Sequence, residues 1–406
     1  MKAVRVRTVR RALGAAVALG LAGALVAACA TANAGTSKNV PAAQAPAAAP
    51  AAVVAVPTLQ PAAGGTDVPP VDAARASASA GTLKDVVLTD SKGRALPGGY
   101  SADQAQWTAT APLAYGETYT WAGSLVAPDG TVTPLAGSFS TVKPSKYVKA
   151  TLNIGDGDTV GVAAPIIVRF DRDLPQAAKA AVERGLTVQT STSVEGSWAW
   201  LPDDWGGSRI HWRPKDYWPT GTQVTVTVPL YGKDLGAGYG KADVSTHFTI
   251  GRSQVVKANE DSHRIQVIRD GQQVMDLPAS YGLETDPKRV TRNGVHIVMA
   301  KSEKVLMSNP DYGYENVPEY WAVRISNNGE FIHANPASVG AQGKRNVSHG
   351  CINLSTANAK AYFGSALYGD PVEVTGSSVP LSAADGDVYD WAVPYDQWKA
   401  MSALSA

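Results

Sequence analysis

Two stretches of this chain repeat one text. Tyr115-Gly116-Glu117-Thr118-Tyr119-Thr120 is echoed by Thr220-Gly221-Thr222-Gln223-Val224-Thr225. Likewise Gly137-Ser138-Phe139-Ser140-Thr141-Val142 is echoed by Thr246-His247-Phe248-Thr249-Ile250. Around each copy run short strand-forming segments: Leu83–Thr89, Trp107–Thr110 and Thr118–Val126 in the first, Ile166–Phe170, Thr187–Thr190, Gln223–Val228 and Thr246–Ile250 in the second. Turn signals such as Asp90-Ser91-Lys92-Gly93 and Pro128-Asp129-Gly130 cut them apart. The recurrence predicts a mainly β protein with two tandem copies of one small β-sandwich, over residues 66–145 and 146–251. The second copy carries a helical insert at Leu174–Arg184 and the cluster Trp198, Trp200, Trp205, Trp212 and Trp218. Aromatic faces can stack on sugar rings, but packing is the expected role of these tryptophans.

The N-terminus reads as an export signal. Lys2, Arg5, Arg7, Arg10 and Arg11 precede an apolar stretch, Ala12–Ala28. That stretch is shorter than the ~20 residues a membrane span usually needs. Val26-Ala27-Ala28-Cys29 resembles a lipobox, so residues 1–28 are expected to be a signal peptide and Cys29 the lipidated anchor to the membrane. Cleavage within Ala28–Ala34 by ordinary signal peptidase is the alternative. Residues 29–65, rich in Ala and Pro and almost free of charge, read as a semi-extended tether with order beginning near Thr66. The formal net charge is +1 with no basic stripe in the mature region, which argues against nucleic acid as a partner.

The chain has two cysteines. With Cys29 acylated, Cys351 has no partner for a disulfide, and an unpaired thiol in an exported protein points to a nucleophile. Its surroundings agree. His333 is followed, fourteen residues intervening, by Ser348-His349-Gly350-Cys351-Ile352-Asn353. An imidazole that takes the thiol proton makes the reactive thiolate. Gly350 lets a carbonyl approach the backbone, where N–H groups can stabilise an oxyanion. Zinc on His333, His349 and Cys351 is possible by ligand type, but no companion ligand motif exists, so no metal is expected. Ser348 lacks the context of a serine nucleophile and is expected to fix the loop.

This spacing resembles the signature of the YkuD-type L,D-transpeptidases: His, fourteen to seventeen residues, Ser/Thr-His-Gly-Cys, a variable residue, Asn. The resemblance implies Cys351 as nucleophile, His333 as general base and the carbonyl of Ala334 orienting that base, where the family often has Ser. It implies that His349 shapes the loop and supports the thiolate, that Asn353 orients it, and that N–H groups around His349–Cys351 form the oxyanion hole. Which imidazole takes the proton stays open at this point. The catalytic domain is expected over residues 252–377, opened by a hairpin at Asp270-Gly271. A helix is expected from Ser355 to about Tyr368. A loop from Ser308 to Tyr320 reads as a lid bearing Tyr312 and Tyr314. Trp321, His296 and Met299 are the further candidates for substrate binding.

The tail, residues 378–406 with Trp391, Tyr395 and Trp398, is too aromatic to be free. It resembles that of actinobacterial lipoprotein L,D-transpeptidases with two immunoglobulin-like domains. Family membership would imply a cofactor-free acyl transfer between peptidoglycan stem peptides, a tetrapeptide donor and an acceptor, giving 3→3 cross-links with release of D-alanine. It would also imply acylation by carbapenem β-lactams. Hydrolysis of the same thioester, by a carboxypeptidase or endopeptidase, is one rival; a wall-binding module with a degenerate enzyme domain is another. Papain-like peptidases place Cys before His, the reverse of the order here.

Overall fold

The computed structural model describes residues 54–71, 73–204, 206–383 and 388–405. The expected signal peptide, Cys29 and most of the tether lie outside them, as does Trp205. In the first sandwich one sheet orders Pro57–Gln60, Arg75–Ala78, Gln106–Ala109 and Gly98–Tyr100. It faces Thr82–Thr89 and Thr118–Val126, the latter also pairing Val132–Pro134 and Gly137–Ser140. Alternation turns Tyr119, Trp121 and Leu125 inward, and Trp121 meets Trp107 edge to face at 5.8 Å. The expected tether ends sooner than its composition suggests. Pro57–Gln60 is an edge strand paired with Arg75–Ala78, and Leu59 and Ala55 pack on the core. An edge strand tolerates proline, and one apolar face was enough to recruit it.

The second sandwich stacks Ala150–Leu152, Ile166–Phe170, Gly207–Pro214 and Gly196–Asp204 against Thr159–Val160, Val244–Ile250, Gln223–Val228 and Thr187–Thr190. The helical insert runs Gln176–Gly185. The tryptophans pack. Trp198, Trp212 and Trp218 join the core, and the Trp218 ring nitrogen donates to the Ala164 carbonyl at 2.9 Å. Trp200 stacks on Phe170 and donates to Glu183.

Gly207–Pro214 is buried on both faces, because the tail covers the outer one. Within the tail, Tyr395–Ala400 is helical and Trp398 is wholly buried. The Arg213 guanidinium lies 4.8, 5.4 and 5.1 Å from the rings of Trp391, Tyr395 and Trp398 and donates to the Val393 carbonyl. Beside it His211 and Asp390 pair at 3.0 Å with both side chains fully buried.

In the last domain a five-stranded sheet orders Gln272–Pro278, Arg264–Arg269, Gln254–Asn259, Pro371–Thr375 and Gly294–Ile297. A second sheet orders Ala300–Asn309, Tyr314–Arg324, Phe331–Ala334 and Ile352–Leu354. The two share one core with the helix Thr356–Ser365, which Ser355 caps by accepting from the Asn358 N–H. Positive φ at both Asp270 and Gly271 makes the expected tight turn. Two expectations need correction. The helix stops at Ser365, where Ala366 turns extended, and Gly369 serves a later turn. The expected lid loop is a β-hairpin, Ala300–Asn309 with Tyr314–Arg324. Pro318 fits because this strand pairs Phe331–Ala334 only from Tyr320 onward, so its edge beside Pro318 needs no donor.

Candidate active site

Parallel pairing of Phe331–Ala334 with Ile352–Leu354 sets His333 beside Asn353. Side-chain alternation returns Cys351, two residues before Asn353, to the same side. The thiol is half-buried, faces the same cavity as the His333 ring and donates to the Gly329 carbonyl at 3.5 Å. His333 is buried, and its Nδ1 is 3.0 Å from the Ala334 carbonyl and 3.1 Å from a carboxylate oxygen of Glu319. Nδ1 is thereby occupied, leaving Nε2 for the thiol. Burial alone would push the imidazole toward the neutral form. The interactions with Cys351 and Glu319 outweigh it and hold the ring's pKa well above its ordinary value.

His349 sits differently. Its exposed ring lies 4.7 Å from the Tyr312 ring and 5.5 Å from the Tyr314 ring. Partial burial under them and the Arg289 charge lower its pKa. His333 is thus the imidazole that the thiol acts on electrostatically.

The loop around Cys351 is held by its own polar atoms. Ser348 Oγ accepts from the Gly350 N–H at 3.1 Å and donates to the Cys351 carbonyl at 2.6 Å. The Gly350 N–H is therefore engaged within the loop, which removes one expected oxyanion donor. Gly350 has φ +114°, a conformation that L side chains rarely adopt. Arg289 donates to the carbonyls of Val347 and Ser348, and Thr291 to that of Gly350. Asn353 is 2% exposed; its backbone exchanges hydrogen bonds with Ser280, and its side-chain oxygen has no protein partner.

A cavity of about 530 Å³ opens over this group, lined among others by Met307, Tyr314, Val317, Glu319, His349 and Asn353. The hairpin tip reaches across to the loop before Arg289, where the Tyr312 hydroxyl donates to Asp286 at 2.9 Å. Three expected pocket residues lie elsewhere. His296 is buried with its ring nitrogens against the carbonyls of Arg292 and Ile325. Trp321 sits at a bulge with φ +52° and packs on Phe363 of the helix. Met299 belongs to the junction of second sandwich, tail and catalytic sheet, with Ile297, Val388 and Trp391. Glu319, Met307, Arg289 and Thr291 were not foreseen. Glu319 and Met307 carry no motif, and only their strand phase could have marked them.

The L,D-transpeptidase catalytic domain family matches residues 253–374, and the bacterial Ig domain family matches residues 65–234, the first sandwich and the second up to the strand Val244–Ile250. L,D-transpeptidase 5 of Mycobacterium tuberculosis is 55% identical over 348 residues, which are 86% of this chain and 77% of that protein. L,D-transpeptidase 2 of the same species is 35% identical over 336 residues, 80% of each chain. Among solved structures, the L,D-transpeptidase LdtMt1 in complex with imipenem is 31% identical, covering 55% of this chain and 97% of its own with a TM-score of 0.47. The shared sequence runs through both sandwiches and the domain that holds Cys351, His333 and Asn353, and the chain belongs to the YkuD-type L,D-transpeptidase family.

Proposed function

We propose that this protein forms 3→3 cross-links in peptidoglycan through a thioester on Cys351. The observation that carries the reading is that Cys351 and a buried His333, whose Nδ1 is already fixed, line one cavity. His333 takes the thiol proton, and the thiolate attacks the carbonyl on the L-centre of the penultimate diamino acid of a tetrapeptide stem. The bond to D-alanine breaks, the imidazolium proton goes to the departing amine, and a thioester remains. A side-chain amine of a neighbouring stem attacks it, gives a proton to His333 and displaces the thiolate. The N–H groups of His349 and Cys351 are the proposed oxyanion donors, since that of Gly350 is engaged by Ser348. His349 and Ser348 hold the loop, and Tyr314 and Asn353 line the donor's path. No cofactor takes part.

The same thiolate opens the strained carbonyl of a carbapenem, whose leaving amine stays tethered, and we propose carbapenems as acylating inhibitors. We further propose that Cys29 anchors the protein by lipid to the cell membrane, facing the wall.

Mass spectrometry with a disaccharide-tetrapeptide donor tests the reaction. The expected products are D-alanine and a 3→3 dimer, both lost in Cys351→Ala, with the fold kept because Cys351 is in no disulfide. Disaccharide-tripeptide without dimer would make the enzyme a carboxypeptidase; turnover by Cys351→Ala would overturn the mechanism.

A further inference from the structure

We propose that Glu319 is a positioning residue for the reaction, holding and charge-balancing His333 as the third member of a Cys351–His333–Glu319 relay. The proposal rests on the reading of Cys351 and His333 given above.

The geometry is specific. A carboxylate oxygen of Glu319 is 3.1 Å from His333 Nδ1, while the Ala334 carbonyl approaches the same nitrogen at 3.0 Å. One N–H is thus shared between two acceptors of different kind. The carbonyl fixes the ring's tautomer and plane but brings only a dipole. The carboxylate brings a full charge, and a buried imidazolium needs a counter-charge once the thiol proton has moved onto it. The His333 side chain is 4% exposed and that of Glu319 is 18% exposed, so the carboxylate keeps contact with water while its partner does not.

Its place in the strand explains how it gets there. Tyr320 pairs with Ala334, so Glu319 is the residue at which the hairpin strand leaves the ladder. Val317, two residues away, lines the same cavity, as strand alternation requires. Arg345 is the cationic side chain that lines the same cavity, and Arg289, which holds the loop, is committed to the carbonyls of Val347 and Ser348. Tyr314 lines the cavity on the lid side. The ionisable side chain paired with the ring is Glu319, at 3.1 Å.

A carboxylate in a peptide-binding cavity could instead receive the acceptor's amine, and the test separates the two. Acylation by a carbapenem involves no acceptor. Replacing the aspartate of a serine triad by its amide costs ~10⁴-fold. Here the Ala334 carbonyl still holds the ring, so Glu319→Gln is expected to slow carbapenem acylation by about 10- to 100-fold. The alkaline limb of its pH profile should also move to lower pH, because the imidazolium loses its counter-charge. Glu319→Asp should recover part of both.

Alkylation of Cys351 by iodoacetamide at neutral pH reads the thiolate without any cell-wall chemistry, and should slow in Glu319→Gln in parallel. If alkylation responds as expected while wild-type protein releases no D-alanine, the relay stands and the transpeptidase reading falls. Wild-type acylation and an unmoved pH profile in Glu319→Gln would overturn the relay; a defect confined to cross-linking would make Glu319 an acceptor contact.

Discussion

Replacing Gly350 by alanine asks how far the nucleophile loop depends on one backbone conformation. Space is not the obstacle. A Cβ there would lie 3.5 Å from the Val290 carbonyl oxygen and 3.7 Å from the nearest atom of Glu330, both ordinary contacts. Conformation is the obstacle, since φ is +114°. Holding a non-glycine residue in so sparse a region costs on the order of 1–3 kcal/mol. The loop can bear that strain and lose the same amount of stability. It can also relax, which breaks the Gly350 to Ser348 bond and displaces the flanking N–H groups. Each ~1.4 kcal/mol of lost transition-state stabilisation is a factor of ten in rate, so relaxation should slow acylation by about 10- to 100-fold. Strain absent from the melting curve must therefore appear in the rate. Thermal unfolding and single-turnover acylation by a carbapenem, measured on the same preparation, read both. Unchanged melting together with unchanged acylation would refute the argument.

Removing the general base in His333→Ala should lower acylation by at least ~10²-fold, whereas His349→Ala should act mainly on loop order; near wild-type acylation in His333→Ala would reverse these roles. Trp398→Ala should destabilise the second sandwich by ~3–5 kcal/mol, because a fully buried ring and its bond to the Ser197 carbonyl are lost. Hydrogen exchange along Gly207–Pro214 is the readout, and unchanged protection there would sink the idea. Burial first, then the neighbouring Glu284 charge, raises the Glu260 carboxyl from 4.5 to about 8. The unfolded chain therefore loses this proton at lower pH than the folded one, and native stability falls as pH rises from about 4.5 to about 8. Glu260→Gln keeps an acceptor for Asn346 and should gain stability over wild type across that window; a pH-independent difference in melting temperature would contradict this.

Much of the architecture was legible because strands announce themselves locally. Thr118–Val126, Ile166–Phe170 and Gln223–Val228 follow from β-branched and aromatic residues between turn formers. The nucleophile loop was legible for another reason: its residues are adjacent in the chain, so spacing alone groups them. What escaped depends on which neighbour a side chain meets. A bulge between Tyr320 and Val323 breaks the alternation and turns Trp321 onto Phe363. His296 and Met299 were credited to the pocket from strand position, yet His296 turns to the carbonyls of Arg292 and Ile325, and Met299, just past the strand Gly294–Ile297, packs against the tail. Glu319 meets His333 only through the pairing of two strands, which no local pattern encodes. The Pro57–Gln60 strand was hidden inside a composition that reads as linker.

The buried pair of His211 and Asp390 also sets an order of events in folding. The two residues are 179 positions apart, so the strand Gly207–Pro214 emerges from synthesis long before the segment that covers it. Until then Ala199, Leu201, His211 and Arg213 face solvent on a surface built to be interior. Closing so long a loop is slow, and uncovered strands of this kind are where chains stick to one another. The last step in completing this sandwich is thus the docking of the segment that carries Asp390 and Trp398. A protein truncated before Trp391 would hold a complete catalytic domain and still carry an unfinished sandwich, with aggregation rather than lost chemistry as its first defect.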